Sequence, residues 1–391
     1  MTEAYIYDAI RTPRGRGKKD GSLHTVKPLD LVVGLIDEVK DRFPNMDTNR
    51  IDDVLLGVVT PVGDQGACIA KTAALTAGLP DTVAGYQLNR FCASGLEAVN
   101  TGAQKVASGW DDLILAGGVE SMSQVPIGSP VTVAKELGNP FTGEISRRYP
   151  GENFSQFVGA ERMAKKYGVS KDDLDQFAYD SHRRAAAATE AGRFKQEILP
   201  VSVNLDDGGE TLHDVDEGIR WDADLDAIRG LQPLAENGII SAANASQITD
   251  GASAVLVASE QAVKEFGLKP LARIHAMAVV GSDPTMVLEG PIPATEKVLK
   301  RAGMTLADID LYEVNEALGS VPLAWMNALG ADYDKLNVNG GAQALGHPLG
   351  ATGAKLMGTL VYELKRRGGR YGLLAICEGL GTANATIIEV L

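Results

Sequence analysis

The stretch Asp53-Val54-Leu55-Leu56 begins a pattern that the chain repeats at Asp308-Ile309-Asp310-Leu311. The first stretch lies 39 residues before Cys92, and the second lies 39 residues before His347. In both copies an acidic turn leads into an apolar strand, and a long connection then ends in a reactive side chain that precedes an amphipathic helix. Self-similarity of this kind indicates an internal duplication. The sequence therefore predicts two halves with the same fold.

The helix that follows each reactive residue is visible in the spacing of its apolar side chains. These recur every three or four residues, as they do on one face of an α-helix. They are Leu96, Val99, Ala103 and Val106 after Cys92, and Leu356, Met357, Leu360, Val361 and Leu364 after His347. Apolar strands at 54–59 and 311–314 precede the two helices, and strands at 113–116 and 373–377 follow them. This alternation predicts an α/β fold with largely buried strands.

Between the two halves, residues 120–249 differ in amino-acid composition. This segment is more charged, contains several prolines between 126 and 150, and shows a helical stretch near 160–192. Residues 250–257 are again largely apolar, so the chain returns there to the first half. We therefore predict an N-terminal half of residues 1–119 plus 250–270, an inserted loop domain of residues 120–249, and a C-terminal half of residues 271–391.

Composition narrows the class of protein. The formal net charge of −14 argues against non-specific nucleic-acid binding, which needs a basic face. No apolar run approaches the roughly 18 residues of a membrane span, and neither terminus resembles a secretory leader or a peroxisomal tag. The three cysteines are too few and too scattered for a disulfide framework, which fits a reducing compartment. The expected location is therefore the cytoplasm.

Cys92 lies in the stretch Asn89-Arg-Phe-Cys-Ala-Ser-Gly-Leu96, where an extended run meets a helix. The N–H groups and the dipole at the start of a helix favour a thiolate, which is the nucleophilic form of cysteine. We therefore regard Cys92 as a candidate nucleophile. Taken alone, the same position also suits a buried structural thiol.

His347 lies in a glycine-rich stretch, Asn339-Gly-Gly-Ala-Gln-Ala-Leu-Gly-His-Pro-Leu-Gly-Ala-Thr-Gly353. Glycine at this density predicts a shaped backbone that meets a ligand. An imidazole, with an ordinary pKa of about 6.5, can serve there as a base for a thiol. The alternative is a packed histidine beside a proline turn.

Two further candidate sites end apolar strands, where α/β proteins gather their ligands. Cys377 follows residues 373–376, and Asn315 with Glu316 follows Leu311–Val314. An Asn amide at a strand tip can hold a water or an oxyanion, although Asn and Glu also cap helices. Cys377 alone is equally compatible with a core thiol. The candidate cysteines and histidine contain none of the close-spaced ligand pairs of a zinc site, so no metal is predicted.

Four stretches together resemble the thiolase family over essentially the whole chain. They are NRFCASGLEAV around Cys92, NEAL at Asn315, NGGAQALGHPLGATGA around His347 and CEGLG at Cys377. Four motifs in order are far more specific than any one of them. The resemblance implies a thiolase-type fold of two βαβ-rich halves packed together, with an intervening loop domain. It also implies an acyltransferase that acts on CoA thioesters, assembled as a homodimer or homotetramer.

The resemblance also implies a role for each motif residue. Cys92 is similar to the cysteine that becomes acylated, and His347 to the base that activates it and donates to the thioester oxygen. Cys377 is similar to the acid/base that moves the α-proton of the second acyl-CoA. Asn315 is similar to the residue that holds an oxyanion-hole water, and Gly379 to the residue whose N–H completes a second oxyanion hole with that of Cys92. Coenzyme A is then a co-substrate, and no permanently bound cofactor is expected.

Further residues resemble family positions outside the four motifs. Arg220, in the stretch DEGIR, is similar to the arginine that lies against the CoA adenine, and Ser246 to the serine that touches the pantetheine arm. As single residues they would suit a solvated arginine and a turn serine. The family's His–Met or Ser–Met pair is Gln-Phe157 here, and its NEAF motif ends in Leu318. Phe157 and Leu318 are therefore predicted to shape the acyl pocket.

The stretch at Cys377 also departs from the usual CxGGG pattern, because it contains Glu378 and Leu380. Three alternative functions share part of the pattern. A biosynthetic thiolase would condense acetyl-CoA to acetoacetyl-CoA with the same motifs. A ketoacyl synthase-like condensing enzyme lacks the second cysteine, and a non-catalytic acyl-CoA binder has no use for two reactive thiols. The predicted function is thiolytic cleavage of 3-ketoacyl-CoA, as in β-oxidation, to acetyl-CoA and a shortened acyl-CoA.

Overall fold

The computed structural model describes residues 2–133, 135–205, 208–267 and 269–391. The β-strands are β1 (Ala4–Arg11), β2 (Gly15–Arg16), β3 (Asp53–Gly57), β4 (Ala84–Leu88), β5 (Leu113–Ser121), β6 (Val201–Asn204), β7 (Glu210–His213), β8 (Thr249–Ser259), β9 (Ala272–Gly281), β10 (Leu311–Val314), β11 (Tyr371–Cys377) and β12 (Thr382–Val390). The α-helices are α1 (Pro28–Arg42), α2 (Ile69–Thr76), α3 (Ser94–Ser108), α4 (Ser129–Thr132), α5 (Glu144–Arg148), α6 (Gln156–Tyr167), α7 (Lys171–Glu190), α8 (Leu225–Arg229), α9 (Glu260–Phe266), α10 (Pro291–Ala302), α11 (Ser320–Leu329), α12 (Ala342–Leu345) and α13 (Leu349–Arg367).

The main sheet has the same strand order in both halves. Its order is β10-β11-β12-β9-β1-β8-β5-β3-β4, with β2 paired to β8. In the first half β3 and β5 are parallel, and β5, β8 and β1 are successively antiparallel. In the second half β10 and β11 are parallel, and β11, β12 and β9 are successively antiparallel. The halves meet where β1 pairs with β9, so the strand order confirms the predicted duplication.

The second half differs from the first beside β10. In the first half β4 pairs with β3 along five residues, whereas the corresponding contact of the second half is a single bridge between Tyr312 and Leu336. Next to that bridge, the side-chain amide of Asn337 donates to the carbonyl of Val314 (2.8 Å) and accepts from its N–H (2.8 Å). A side chain thus satisfies the backbone groups that a neighbouring strand would otherwise satisfy.

The helices α3 and α13 pack against each other between the two half-sheets. Every apolar residue that the helical periodicity identified is buried in one cluster around these helices. The inner faces of both half-sheets join this cluster, for example through Ile114 on β5 and Leu374 on β11. Helices α1 and α2 cover the outer face of the first half-sheet, and α10 and α11 cover that of the second. The two motif-bearing helices are therefore the central layer of an α/β sandwich.

Glycines allow α3 and α13 to approach closely. A Cβ atom on Gly353 would lie 2.1 Å from the backbone nitrogen of Leu96, and one on Gly95 would lie 2.5 Å from the carbonyl oxygen of Gly350. Larger residues cannot occupy these positions without a backbone shift. Gly350 and Gly353 thus bring the starts of the two helices together. Gly341 and Gly346 face the side chains of Glu316 and Thr249 instead, and the contact of this stretch with a ligand stays a prediction.

Element boundaries differ from the predictions in instructive ways. The helical stretch near 160–192 is two helices, because Gly168 ends α6 in the left-handed conformation and Ser170 caps α7. Residues 250–257 belong to β8, which pairs with β1 and β5 of the first half. Strand β12 escaped prediction because its face towards α3 carries polar residues such as Asn384 and Thr386, both fully buried. Within the described ranges, no helix has the length and apolarity needed to cross a membrane.

Candidate active site

An apolar cavity of about 420 Å³ lies at the starts of α3 and α13. Its lining joins three of the predicted segments, through Cys92, through Leu349 beside His347, and through Gly379 beside Cys377. The remaining lining residues are mainly apolar: Val59, Thr60, Asn89, Phe91, Ile127, Gly128, Pro130, Val131, Pro140, Phe141, Phe154, Gln156, Val287 and Leu288. A concave apolar site with a few convergent reactive groups is typical of a small-molecule pocket.

A strained turn presents Cys92 to this cavity. Phe91, the preceding residue, has a left-handed backbone with φ of 47°, which is unusual for a bulky side chain. The hydroxyl of Ser94 holds the turn, because it donates to the carbonyl of Phe91 (2.6 Å) and accepts from the N–H of Arg90 (2.8 Å). Strain of this kind concentrates at functional sites. The turn leaves Cys92 largely buried, with 8% of the residue exposed on the cavity side of α3.

Both thiols of the site are neutral at rest. Burial, with contributions from the carboxyl groups of Glu378 and Glu120, raises the pKa of Cys92 to about 12. Burial also raises the pKa of Cys377 well above its ordinary value, together with the neighbouring Cys92 and Glu378. The expectation that the helix start favours a resting thiolate at Cys92 is therefore wrong. Loss of hydration penalises the charged form more than the N–H groups of the helix start stabilise it.

Cys377 ends β11 and enters a tight hairpin to β12. It pairs with Ala383, and the N–H of Glu378 donates to the carbonyl of Thr382 (3.0 Å). Leu380 has a left-handed backbone with φ of 61°, a conformation that glycine adopts without strain. The departure from the family's CxGGG pattern is therefore a strained turn, and it keeps Gly379 at the cavity wall.

The hydrogen bonds of His347 fix its tautomer. Its Nδ1 lies 2.6 Å from the hydroxyl of Thr352, and that hydroxyl already donates its proton to the carbonyl of Pro348 (2.8 Å). Nδ1 must therefore carry a hydrogen and Nε2 must be unprotonated, and the Nδ2 of Asn315 donates to this Nε2 (3.3 Å). Burial, with a contribution from Arg14, lowers the pKa of His347 to about 3. A neutral imidazole with an unprotonated Nε2 can accept a proton from a thiol.

Asn315 and Glu316 connect the end of β10 to the loop that carries His347. The Oδ1 of Asn315 is buried, and it accepts no hydrogen bond from any part of the chain that the structure describes. The carboxylate of Glu316 accepts from Ser181 (2.7 Å), Asn337 (3.0 Å) and the N–H of Gln343 (3.0 Å). Glu316 therefore anchors the His347 loop to α7, and its carboxylate caps the short helix α12 through the N–H of Gln343.

Glu120 is a supporting residue that the sequence analysis did not identify. It is fully buried near the end of β5 and accepts the N–H groups of Val59 (2.9 Å), Thr60 (3.0 Å) and Gly350 (2.9 Å). Its carboxyl thus joins the wall of the cavity to the first turn of α13. The sequence shows Glu120 only as a single acidic residue after an apolar run. It is part of no motif or periodic pattern that would have predicted its role.

Neither predicted acyl-pocket residue lines the described cavity. Phe157 is 42% exposed, whereas its neighbour Gln156 faces the cavity at the start of α6. Successive residues of an α-helix point about 100° apart, and here Gln156 is directed to the cavity and Phe157 to the surface. Leu318 is buried in the core of the second half and forms a β-bridge with Ala245. The site therefore brings together Cys92 and the other motif segments but not these two side chains.

A second cavity, of about 360 Å³, contains Arg220. Its lining also includes His182 on α7 and Ala243. The backbone N–H of Arg220 donates to Nδ1 of His182 (3.2 Å), and burial with the charge of Arg220 lowers the pKa of His182 to about 4. Because His182 is neutral, the cation that this cavity offers to a ligand is the exposed guanidinium of Arg220.

The segment 243–247 connects this second cavity to the cysteine site. The N–H of Ser246 donates to the carbonyl of Ala317 (3.0 Å), which places it beside the Asn315 loop. The carbonyl of Gln247 accepts the N–H of His347 (3.1 Å). Ala243 thus lines the second cavity while Gln247, four residues later, contacts the loop that carries His347.

Comparisons with known proteins agree with this geometry. A family model described as thiolase, N-terminal domain, matches residues 4–261, and one described as thiolase, C-terminal domain, matches residues 268–390. The steroid 3-ketoacyl-CoA thiolase FadA6 of Mycobacterium tuberculosis is 47% identical, across 100% of this chain and 94% of the relative. The 3-ketoacyl-CoA thiolase of Bacillus subtilis is 41% identical, across 100% of both chains.

A solved structure shows the same architecture. The acetyl-CoA acetyltransferase of Bacillus anthracis superimposes with a TM-score of 0.91 at 36% identity, over 100% of this chain and 99% of that one. The predicted thiolase-type fold of two duplicated halves with an inserted loop domain is thereby confirmed. The chain belongs to the thiolase family of acyltransferases.

Proposed function

We propose that this thiolase cleaves 3-ketoacyl-CoA with CoA, giving acetyl-CoA and a shortened acyl-CoA, and that Cys92 carries the acyl group between the two steps. The observation that carries the proposal is the neutral His347, whose Nε2 is unprotonated and whose loop reaches the cavity of Cys92 through Leu349. Relatives at 41–47% identity over the full chain are named 3-ketoacyl-CoA thiolases, which supports the degradative direction.

In the first step the thiol of Cys92 passes its proton to Nε2 of His347 as its sulfur attacks the C3 carbonyl carbon. Because the resting pair is neutral, charge forms only as the attack proceeds, in an apolar cavity where hydrogen-bond donors act strongly. The C2–C3 bond then breaks, and its electron pair moves to the enolate of acetyl-CoA. The N–H groups of Cys92 and Gly379 are proposed to bind one oxyanion, and Asn315, through a water, with His347 to bind the other.

Cys377 completes the proton balance in this proposal. Its thiol donates a proton to the α-carbon of the enolate and becomes a thiolate. The thiol of the incoming CoA gives its proton to that thiolate and attacks the thioester on Cys92. The shortened acyl-CoA leaves, and His347 returns its proton to the sulfur of Cys92. No other acid or base is needed, and coenzyme A is consumed as a co-substrate.

Residues 120–249 are proposed to form a loop domain that binds CoA. Arg220 lies in a cavity of a size suited to a nucleotide base, and its guanidinium can stack on an aromatic ring. Ser246 lies between this cavity and the Asn315 loop, so a pantetheine arm that follows the segment 243–247 reaches the thiols. Arg220 also supplies a local cation for phosphates in a chain with a net charge of −14.

The size of the cysteine cavity supports a bulky apolar acyl group. A volume of about 420 Å³ lined by aliphatic and aromatic side chains far exceeds the needs of an acetyl group. Condensation of two acetyl groups would leave most of this surface unused. Degradation of a large 3-ketoacyl-CoA is therefore favoured over the biosynthetic direction.

A homodimer or homotetramer in the cytoplasm is the proposed form of the enzyme. Strand β4 is the last strand of the main sheet and is partly exposed, so its free backbone edge can pair with a second copy. The three cysteines are free, as expected in a reducing compartment. The mass in solution, measured by light scattering, tests the assembly.

Separating the two thiols tests the proposed function. Cys377→Ala should still form an acyl-enzyme on Cys92 from a simple acyl-CoA, because that half-reaction moves no α-proton. It should lose 3-ketoacyl-CoA cleavage, and deuterium exchange at the α-carbon of acetyl-CoA, by about 10²–10⁴-fold, the usual worth of a general acid or base. Cys92→Ser should lose both half-reactions, and Cys68→Ala, whose thiol donates to the carbonyl of Gly85 (3.3 Å), should lose neither. Normal cleavage by Cys377→Ala would refute the assignment.

A further inference from the structure

Glu378 is a buried carboxyl group that the proposed reaction does not use. It follows Cys377 directly and is fully buried. Neither of its carboxyl oxygens has a hydrogen-bond partner within the part of the chain that the structure describes. The hydroxyl of Thr382, the residue opposite in the hairpin, donates to the carbonyl of Gly379 (3.1 Å). An unpaired buried carboxylate is costly, so the protonated form is favoured at this position.

The pairing of β11 with β12 shows where this carboxyl points. Along β12, Thr386 donates to Asn100 (3.0 Å) and Asn384 donates to Glu97 (2.7 Å), so this face of the hairpin looks onto α3. Side chains on one face of a strand recur every second residue, and those on one face of a helix every third or fourth. Two residues before Asn384 on the same face is Thr382, and Glu378 lies opposite Thr382 on the other strand. The part of α3 that faces this position is its first turn. The carboxyl therefore lies at the start of α3.

The close approach of Gly379 to the ring of Phe91 supports this position. A Cβ atom on Gly379 would lie 3.2 Å from the ring of Phe91, so the chain at Glu378 packs against the turn that holds Cys92. Glu378 thus lies beside one thiol in sequence and beside the other in space.

The groups that face Glu378 compensate its charge only in part, since Thr382 and Arg90 lower its pKa by less than burial raises it. From the segment at the start of α3 these are Arg90 and Glu97, which pair with each other at 3.1 Å. The facing positions of β12, Thr382 and Asn384, are uncharged. Because Arg90 is already paired, ionisation of Glu378 would place a net negative charge next to the two thiols.

We propose that Glu378 controls the deprotonation of both thiols: its neutral acid form permits thiolate formation, and its ionised form opposes it. Only the effect of Glu378 on catalysis rests on the proposed function. Its effect on the reactivity of the thiols can be measured without turnover. Like charges in a site of low dielectric repel strongly, so each negative group makes the next one harder to form.

The direction of the pH dependence follows. Burial raises the pKa of Glu378 to about 8, so the carboxyl is neutral at lower pH and ionised at higher pH. The thiols of Cys92 and Cys377 both have their pKa raised by this carboxylate. In an ordinary thiol the reactive fraction rises tenfold with each pH unit below its pKa. In this site the reactive fraction of each thiol should rise less steeply with pH over the range in which Glu378 ionises.

The experiment measures the alkylation rate of Cys92 by iodoacetamide across pH, with the adduct mapped by mass spectrometry. Glu378→Gln keeps the shape but cannot ionise. The rate of this variant relative to wild type should be close to one at about pH 6.5 and approach about tenfold at about pH 9, if the carboxylate shifts the thiol pKa by one unit. Glu378→Asp, which still ionises, should follow wild type. Glu389→Gln, at the far end of the same hairpin, should give a ratio of one throughout.

A ratio for Glu378→Gln that does not change with pH would overturn the proposal, since a purely structural effect has no reason to follow the ionisation of a carboxyl. If the variant does not fold, the wild-type profile decides. A shallower slope that begins near the pKa of Glu378 supports the proposal, and a uniform tenfold rise per pH unit overturns it. These outcomes are independent of the half-reactions of Cys377→Ala.

Discussion

Replacing Thr352 with valine tests whether the tautomer of His347 sets the rate of acylation. The hydroxyl of Thr352 accepts the Nδ1 hydrogen of His347 at 2.6 Å. Valine has a similar shape but no acceptor, so the Nδ1 hydrogen would be left buried without a partner. The carbonyl of Pro348, to which the hydroxyl donates, keeps the N–H groups of Ala351 and Thr352 (3.0 Å each). The loss is therefore confined to the histidine.

The size of the effect follows from the cost of that unpaired hydrogen. Leaving a buried donor unsatisfied costs about 1–3 kcal/mol. Moving the hydrogen to Nε2 avoids this cost, but it removes the acceptor that takes the proton of Cys92. The active tautomer is disfavoured either way, and 1–3 kcal/mol corresponds to roughly 5- to 150-fold slower acylation. Cleavage and acyl transfer should fall together, because His347 serves both.

The assay is single-turnover acylation from a simple acyl-CoA, quenched in acid and followed by mass spectrometry. Thr352→Ser should restore the rate, because serine keeps the hydroxyl. Thr359→Val removes a buried hydroxyl of the same helix that donates to Glu197 (3.1 Å), and it should lower stability without slowing acylation. Acylation by Thr352→Val within twofold of wild type would refute the tautomer argument. A loss equal to that of Thr359→Val would refute it as well.

Two further predictions concern CoA binding and helix packing. Arg220→Ala should raise the KM for CoA about 2- to 30-fold, the worth of a cation–π contact, and spare a short pantetheine thioester. Arg229→Ala, outside the lining of that cavity, should leave both substrates unchanged, and equal losses for both substrates in Arg220→Ala would contradict the adenine contact. Gly353→Ala should lower the free energy of unfolding by at least about 1–3 kcal/mol, because its Cβ would meet the backbone of Leu96. Denaturant unfolding measures this, and Gly34→Ala, with its nearest neighbour at 3.8 Å, should not destabilise.

The sequence was sufficient to predict the architecture. The repeated order of acidic turn, strand, reactive residue and helix identified two halves that the sheet order reproduces. The equal spacing itself is not reproduced, because the equivalent strands begin at Asp53 and at Leu311. The apolar periodicity after each residue identified α3 and α13, because a helix at the centre of a sandwich must bury a wide face. These features are local or repetitive, and a single sequence is enough to reveal them.

The supporting interactions could not be predicted because they join residues that are distant in sequence. Glu120 links Val59 to Gly350, and its role exists only once three separate segments have met. The ionisation state of Cys92 was misjudged for a related reason, since the helix start is visible in the sequence but the extent of burial is not. Phe157 was misplaced because a motif gives a position along the chain, not the direction of a side chain on a helix.

Strand β3 has a neighbouring strand, β4, whereas β10 has a single bridge and the side chain of Asn337 in the equivalent place. This difference has a consequence for the origin of the site. Two identical subunits that met at a twofold axis would present the same side chain at both helix starts, because an isologous contact uses each residue twice. Covalent fusion of the halves ends this restriction, so one helix start can carry the thiol of Cys92 and the other the imidazole of His347. The amide of Asn337 replaces a neighbouring strand in one half only, which releases that connection to become the histidine loop. A nucleophile and its base, as different residues, thus require a single chain, and neither half paired with its own copy would contain both.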